Sequence, residues 1–279
     1  MKCNKCGSEN VIRYGIRKNR HEALQRYLCK QCSSRFIERN VMNNTRRKAE
    51  LLTVSLDLYF KGLSLRKVKD HLHQFYNVKM SHTTILNWIY KFSMFASQNF
   101  GGMKIKSSEE WNADETVLYF KRNPYWMWNV LDKKTKFLVA FQLAKYRTIE
   151  ECDVFKNARK ATENIPKLIT TDSFMGYPKM ISESFPESSH KRIKGIQQKK
   201  YSNTIERFHS NVKERYKVMR GFGSENGANL ILNGWKTYYN FVRPHMGIGN
   251  ITPAQAAGIN LNLGRNKWNG LIESAKRVS

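Results

Sequence analysis

The chain has 279 residues, 41% of them hydrophobic and 12% aromatic, which suits a medium domain with one or two small ones. Its formal net charge is +27, from 49 Lys and Arg against 22 Asp and Glu, so a polyanionic partner is expected, nucleic acid first and an anionic membrane second. No apolar run is long enough to cross a bilayer and the start MKCNKCG has no apolar signal region, so the expectation is a soluble, cytoplasmic protein without a membrane partner.

Residues 1–42 hold four of the five cysteines, Cys3, Cys6, Cys29 and Cys32, as two Cys-x-x-Cys pairs. Between them the alternation of Val11, Arg13 and Ile16, then Gln25 and Tyr27, predicts a short hairpin. So short a segment cannot build its own apolar core, and a Zn²⁺ held by four thiolates supplies the missing stability, which makes residues 1–42 an expected zinc ribbon. The alternative is four reduced structural cysteines.

Residues 43–100 are predicted to be a helical, helix-turn-helix DNA-binding domain. Leu52, Leu56 and Tyr59 share one face of a helix over 44–61, which Gly62 breaks. Ser64 caps a short helix, LRKVKDHL. Ser81 caps a third, HTTILNWIYKF, with Ile85, Ile89 and Phe92 as its buried stripe. Thr84, Asn87 and Lys91 share the opposite face and can reach base edges, or form an ordinary solvated face.

Residues 101–108 read as a linker, after which the texture changes. VLYF, YWMWNVL and FLVAFQLA are three β-prone runs, separated by turn signals at Asn123-Pro124 and Asp132-Lys-Lys-Thr. A helix follows over 148–162, then the strand KLITT, a partly helical MGYPKMISESF and a basic strand, HKRIKG. Long helices are expected from Ser202 to Arg220 and from Ala228 to Val242. That order is a mixed α/β layer arrangement.

Three acids stand out by position: Asp114 at the start of the first strand, Asp172 at the end of a later one, and Glu206 in the first turn of a long helix. Carboxylates are hard oxygen ligands suited to Mg²⁺ or Mn²⁺, and strand ends and a helix start can hold them rigidly around one point. Lys213, Lys217 and Arg220 follow Glu206 along the helix as a row of cations suited to DNA phosphates. Glu115, next to Asp114, is expected to face the other way. Asp132, Glu150, Glu151 and Asp153 are expected to be solvated, and Cys152 to pack as a small hydrophobe. His209 reads equally as a neighbour of the metals or as a structural histidine.

The motifs DET at 114–116, TD at 171–172 and N-x-x-E-x-x-H at 203–209, with Lys213 beyond, resemble those of DDE transposases of prokaryotic insertion sequences. Y-N-x-x-R-P-H at 239–245 and TPAQAAG at 252–258 resemble the tail of integrase-like relatives, and Arg147 matches a position where such relatives often carry Arg. The resemblance implies an RNase H-like catalytic domain over 109–245 with a C-terminal tail over 246–279. Asp114, Asp172 and Glu206 become its Mg²⁺ (or Mn²⁺) ligands. It further implies an enzyme that binds the terminal inverted repeats of its element, cleaves strands and joins them to target DNA, acting as a homo-oligomer on double-stranded DNA. A domesticated, non-catalytic DNA-binding regulator and an RNase H-like structure-specific nuclease are the alternatives.

Overall fold

The computed structural model describes residues 2–3, 6–18, 23–37, 46–193 and 203–278. It divides into two compact units, Met1–Leu52 and Thr53–Ser279, with the division inside the first helix.

In the first unit β1 (Val11–Lys18) and β2 (Ala23–Cys29) form the expected antiparallel hairpin, and β3 (Arg35–Ile37) adds a third strand to β2. The register shifts between Arg13 and Ile16, where Gly15 takes a φ of 79° that glycine adopts without steric cost.

Helix α1 (Arg46–Phe60) ends where Gly62 turns at φ 112°. The expected start of this helix, before Arg46, lies outside the described residues. Ser64 and Ser81 cap α2 (Leu65–Tyr76) and α3 (His82–Phe100), each side chain accepting a backbone N–H three residues on. Both helices run further than the sequence suggests. In α3 the extra turns are explained by Ser93 and Ala96, which are buried. A Cβ at Gly234 would meet Ser93 Oγ at 2.1 Å, so glycine lets the helix that carries it lie close against α3. The expected linker is packed: Ile105 is 1% exposed and exchanges backbone hydrogen bonds with Ala161 and Glu163.

The centre is a mixed sheet of five strands in the order β6-β5-β4-β7-β8. Strands β4 (Glu110–Phe120), β5 (Asn123–Asp132) and β6 (Leu138–Ala144) form an antiparallel meander. Strands β7 (Leu168–Thr171) and β8 (Ser189–Arg192) continue it in parallel. Lys121 and Arg122, both at positive φ, make the first turn, and Asn123-Pro124 belong to β5. Asp132 makes the second, but it is not solvated. Fully buried, its carboxylate accepts from the backbone N–H of Ser108, Lys134 and Thr135 and from the Ser108 hydroxyl.

Between β6 and β7 only α4 (Val154–Lys160) is helical. Before it, Cys152 is buried, and the Glu151 carboxylate accepts from Lys145 N and Tyr146 N instead of standing free. Helix α5 (Tyr177–Ser184) precedes β8, and the end of the expected basic strand, after Ile193, lies outside the described residues.

Ile205, Phe208, Val212, Tyr216 and Met219 form an apolar stripe on helix α6 (Asn203–Met219), the first three buried and the last two half-buried; its expected start at Ser202 lies outside the described residues. Tyr216 ties it to β4, the phenol donating to Tyr119 O and accepting from Tyr119 N. Helix α7 (Glu225–Thr237) passes into a π-helical turn over Tyr238–Val242. There Asn240, fully buried, accepts from Leu138 N and donates to Leu138 O, completing the ladder that edge strand β6 lacks. The Asn of the Y-N-x-x-R-P-H motif is therefore a structural rung. A short turn, α8 (Pro253–Ala256), and α9 (Lys267–Val278) complete the chain.

Candidate active site

The sheet topology builds the site. Strand β7 pairs with β4 only at Glu110–Asn112 and stops at Thr171. From Ala113 onward the flank of β4 is thus free of its parallel neighbour, and Asp172, the next residue after β7, stands beside Asp114. Carboxylate oxygens of Asp114, Glu115 and Asp172 all lie within 4.8 Å of one another.

Glu115 is the departure from expectation. Adjacent strand residues point to opposite faces, but the opening beyond β7 lets the longer side chain come round to the same place. Its side chain is 3% exposed. It pairs with Arg147, accepts the Tyr177 hydroxyl at 2.5 Å, and is pushed above the usual range by burial. Arg147 also reaches Asp172 at 3.3 Å, and its guanidinium lies over the rings of Phe174 and Trp126 at 4.6 and 5.0 Å. Burial, then the neighbouring Glu115 charge, raises the Asp114 carboxyl to about 7. Three acids crowded this closely, with one arginine as counter-charge, fit a site made for a divalent cation.

Helix α6 supplies the other wall. His209 Nδ1 lies 3.8 Å from Asp114 Oδ2, while Nε2 is 3.2 Å from the Asn129 amide on β5. Asn129 Nδ2 donates to Met127 O as well, so it faces Nε2 as a donor, which leaves the histidine proton on Nδ1, toward Asp114. Burial, then Lys213, lowers this histidine to about 3, so it is neutral.

Glu206 is exposed in the first turn of α6 and is not one of the three clustered acids. It sits one helical turn before His209, on the same side of α6. Lys213 and Lys217 are exposed along the helix as expected, and Arg220 is exposed in the left-handed turn just past its end. On α3, Asn87 and Lys91 are exposed and Thr84 is half-buried with its hydroxyl 3.0 Å from that of the cap, Ser81. The sequence had no signal for Tyr177, and the motif DET alone held the clue to Glu115.

The first unit gathers the four thiols. Cys3 and Cys32 sulfurs are 3.6 Å apart, as are those of Cys6 and Cys29, and all four lie within 4.8 Å. Thiolates about 2.3 Å from one tetrahedral Zn²⁺ stand about 3.8 Å from each other, so the cluster has the size of such a site. Gly7 and Ser33, at φ 73° and 53°, turn the chain just after each Cys-x-x-Cys pair.

Residues 108–245 match a transposase family model described as a DDE domain. The central domain belongs to the DDE transposase family. An uncharacterized 48.3 kDa protein of an insertion element of Methanobrevibacter smithii is 27% identical over 65% of the chain and 47% of that protein. The chain thus spans about half of that relative. An uncharacterized protein of Methanocaldococcus jannaschii is 24% identical over 75% of the chain and 94% of its own length. Among solved structures, the magnesium complex of the HTLV-2 integrase catalytic core is 16% identical, with a TM-score of 0.41 over 56% of the chain and 99% of the core. A simian T-cell lymphotropic virus intasome bound to a PP2A regulatory subunit gives 15% identity and 0.44 over 73% of the chain and 74% of its own. Asp114, Glu115 and Asp172 all fall within the matched residues.

Proposed function

We propose that the chain is a DNA transposase that binds the terminal inverted repeats of its element, cleaves strands there and joins them to target DNA. The observation that carries this reading is the convergence of Asp114 and Asp172 beyond the end of β7, inside the segment that matches the DDE domain. On this reading the mixed sheet is an RNase H-like core. Asp114 and Asp172 hold the divalent ion with Glu206, which α6 carries one turn from the His209–Asp114 contact. Bound Mg²⁺ or Mn²⁺ activates the attacking oxygen of water or a DNA 3′-hydroxyl and stabilises the leaving one. No side chain acts as nucleophile.

The residues around these acids orient and screen them. Arg147 fixes Asp172 and Glu115 against each other, and the Phe174 and Trp126 rings hold Arg147 in place. Neutral His209 keeps its Nδ1 proton toward Asp114. Lys213 and Lys217 present charge to the phosphates that approach along α6. Thr84, Asn87 and Lys91 read bases as a helix-turn-helix face, while Cys3, Cys6, Cys29 and Cys32 bind Zn²⁺ as the ribbon that stabilises the first unit. Several copies assemble on the element ends, and the protein acts in the cytoplasm on cellular DNA.

Single substitutions of Asp114, Asp172 or Glu206 by Ala should abolish cleavage and joining of terminal-repeat DNA while leaving its binding nearly intact. Activity should require Mg²⁺ or Mn²⁺ and vanish in chelator. Full strand transfer by Glu206→Ala would remove Glu206 from the assignment.

A further inference from the structure

A cleft of about 560 Å³ lies away from the carboxylates, between α2, α3, the end of α6 and the start of α7. Three helix N-termini open on it: Ser64 with Leu65 and Arg66, then His82, then Ser224 with Gly227. Each serine cap accepts one backbone N–H, at Lys67, Thr84 and Gly227, which leaves the first N–H groups of each helix as donors without helical partners. Arg66 and Arg220 line the cleft and are exposed, Tyr90 and His82 add polar atoms, and no Asp or Glu lines it.

The second observation is Arg215, at the cleft wall and 4% exposed. Its guanidinium sits over the Tyr59 ring at 3.6 Å, and one nitrogen donates to Leu63 O at 2.9 Å. Its Nε has no hydrogen-bond partner, and among the described residues no carboxylate pairs with it. A buried cation with no carboxylate partner among the described residues, beside a cleft lined by three helix N-termini, is an arrangement that an anion completes.

We propose that this cleft is a phosphate-binding site that grips the DNA backbone at the far end of α6 from the catalytic acids. The inference rests on DNA being the substrate. The exposed cations of α6 and of the turn after it connect the two places: from Glu206 to Met219 the helix rises about 20 Å, which about six nucleotides span at 3.4 Å each, and Arg220 follows directly. A strand leaving the acids thus passes Lys213 and Lys217 and reaches Arg220, Arg66 and the helix N-termini. On α3 the residues that line the cleft, His82, Leu86 and Tyr90, lie beside the face that carries Asn87 and Lys91, so base reading and backbone grip occupy adjacent sides of one helix.

The test uses the full chain and two probes, duplex DNA and inorganic phosphate. Arg66→Ala should weaken duplex binding several-fold on terminal-repeat and scrambled sequences alike, and should lower the salt slope by about one. Lys179→Ala, an exposed charge on α5, should leave both unchanged. Inorganic phosphate should raise the melting temperature of the wild type more than that of Arg66→Ala. Arg215→Met, which keeps the stem and removes the charge, should lower the slope where it folds; Arg66→Ala decides the matter where it does not. An unchanged duplex slope in Arg66→Ala overturns the proposal, and if its phosphate response is nevertheless lost, the cleft takes free anions and not DNA. A wild type that shows the phosphate response but binds no duplex removes the transposase reading itself.

Discussion

Asn240→Ala tests how the C-terminal segment braces the catalytic sheet. Asn240 is fully buried and makes two hydrogen bonds to one residue, Leu138, on the outer edge of β6. Removing the amide leaves the Leu138 N–H and C=O unpaired where water does not enter. Each such group costs about 1–3 kcal/mol, and the lost side chain adds a small cavity. The loss should therefore be about 3 kcal/mol, or roughly two decades in the unfolding constant. For a domain of this size that is about 6–12 °C in melting temperature. The neighbouring rung makes the test selective, because Lys236 separately covers Val139 O at 2.9 Å, where β6 carries one residue more than β5, and remains in place. Asn240→Asp should be at least as damaging, since a carboxylate can accept from Leu138 N but repels Leu138 O. Urea unfolding followed by fluorescence and circular dichroism measures the change. A loss under about 1 kcal/mol with a normal denaturant slope would refute the view that Asn240 replaces a missing strand.

Three further outcomes follow from the same geometry. Glu115→Gln, which weakens the hold on Arg147 and Tyr177, should cut single-turnover cleavage by about 10–100-fold, as loss of a residue that orients a ligand does; inactivity as complete as that of Asp114→Ala would place Glu115 among the ligands. Elemental analysis should find about one zinc per chain, a ratio that Cys152→Ser preserves and Cys29→Ser lowers; full zinc in Cys29→Ser contradicts four-thiolate binding. Asn87→Ala should cost about 1–3 kcal/mol on the element's own ends and little on scrambled duplex, whereas Lys217→Ala should weaken both alike; equal losses on both duplexes for Asn87→Ala would exclude a base-reading α3.

Local rules in the sequence determined a good part of this protein. Serine caps at 64 and 81, alternation in the strands and the stripe of Ile205, Phe208 and Val212 depend on residues a few positions apart, so helices and strands were legible with errors mainly at their ends. The two Cys-x-x-Cys pairs were legible for the same reason, because each pair's spacing alone brings two thiols close together. Asp114 and Asp172 could be singled out by motif, but their proximity depends on β7 pairing beside β4 and stopping at Thr171, a contact between segments more than fifty residues apart. The same ending brought Glu115 into the cluster against the alternation rule. Asp132 looked solvated because a turn usually is; only the approach of Ser108 buries it. Arg215 falls on the apolar side of α6, seven residues after Phe208, but nothing before the fold shows that it is buried without a carboxylate. Local periodicity fixes which faces are apolar, while register and strand endings, set by the whole packed sheet, decide which polar groups meet.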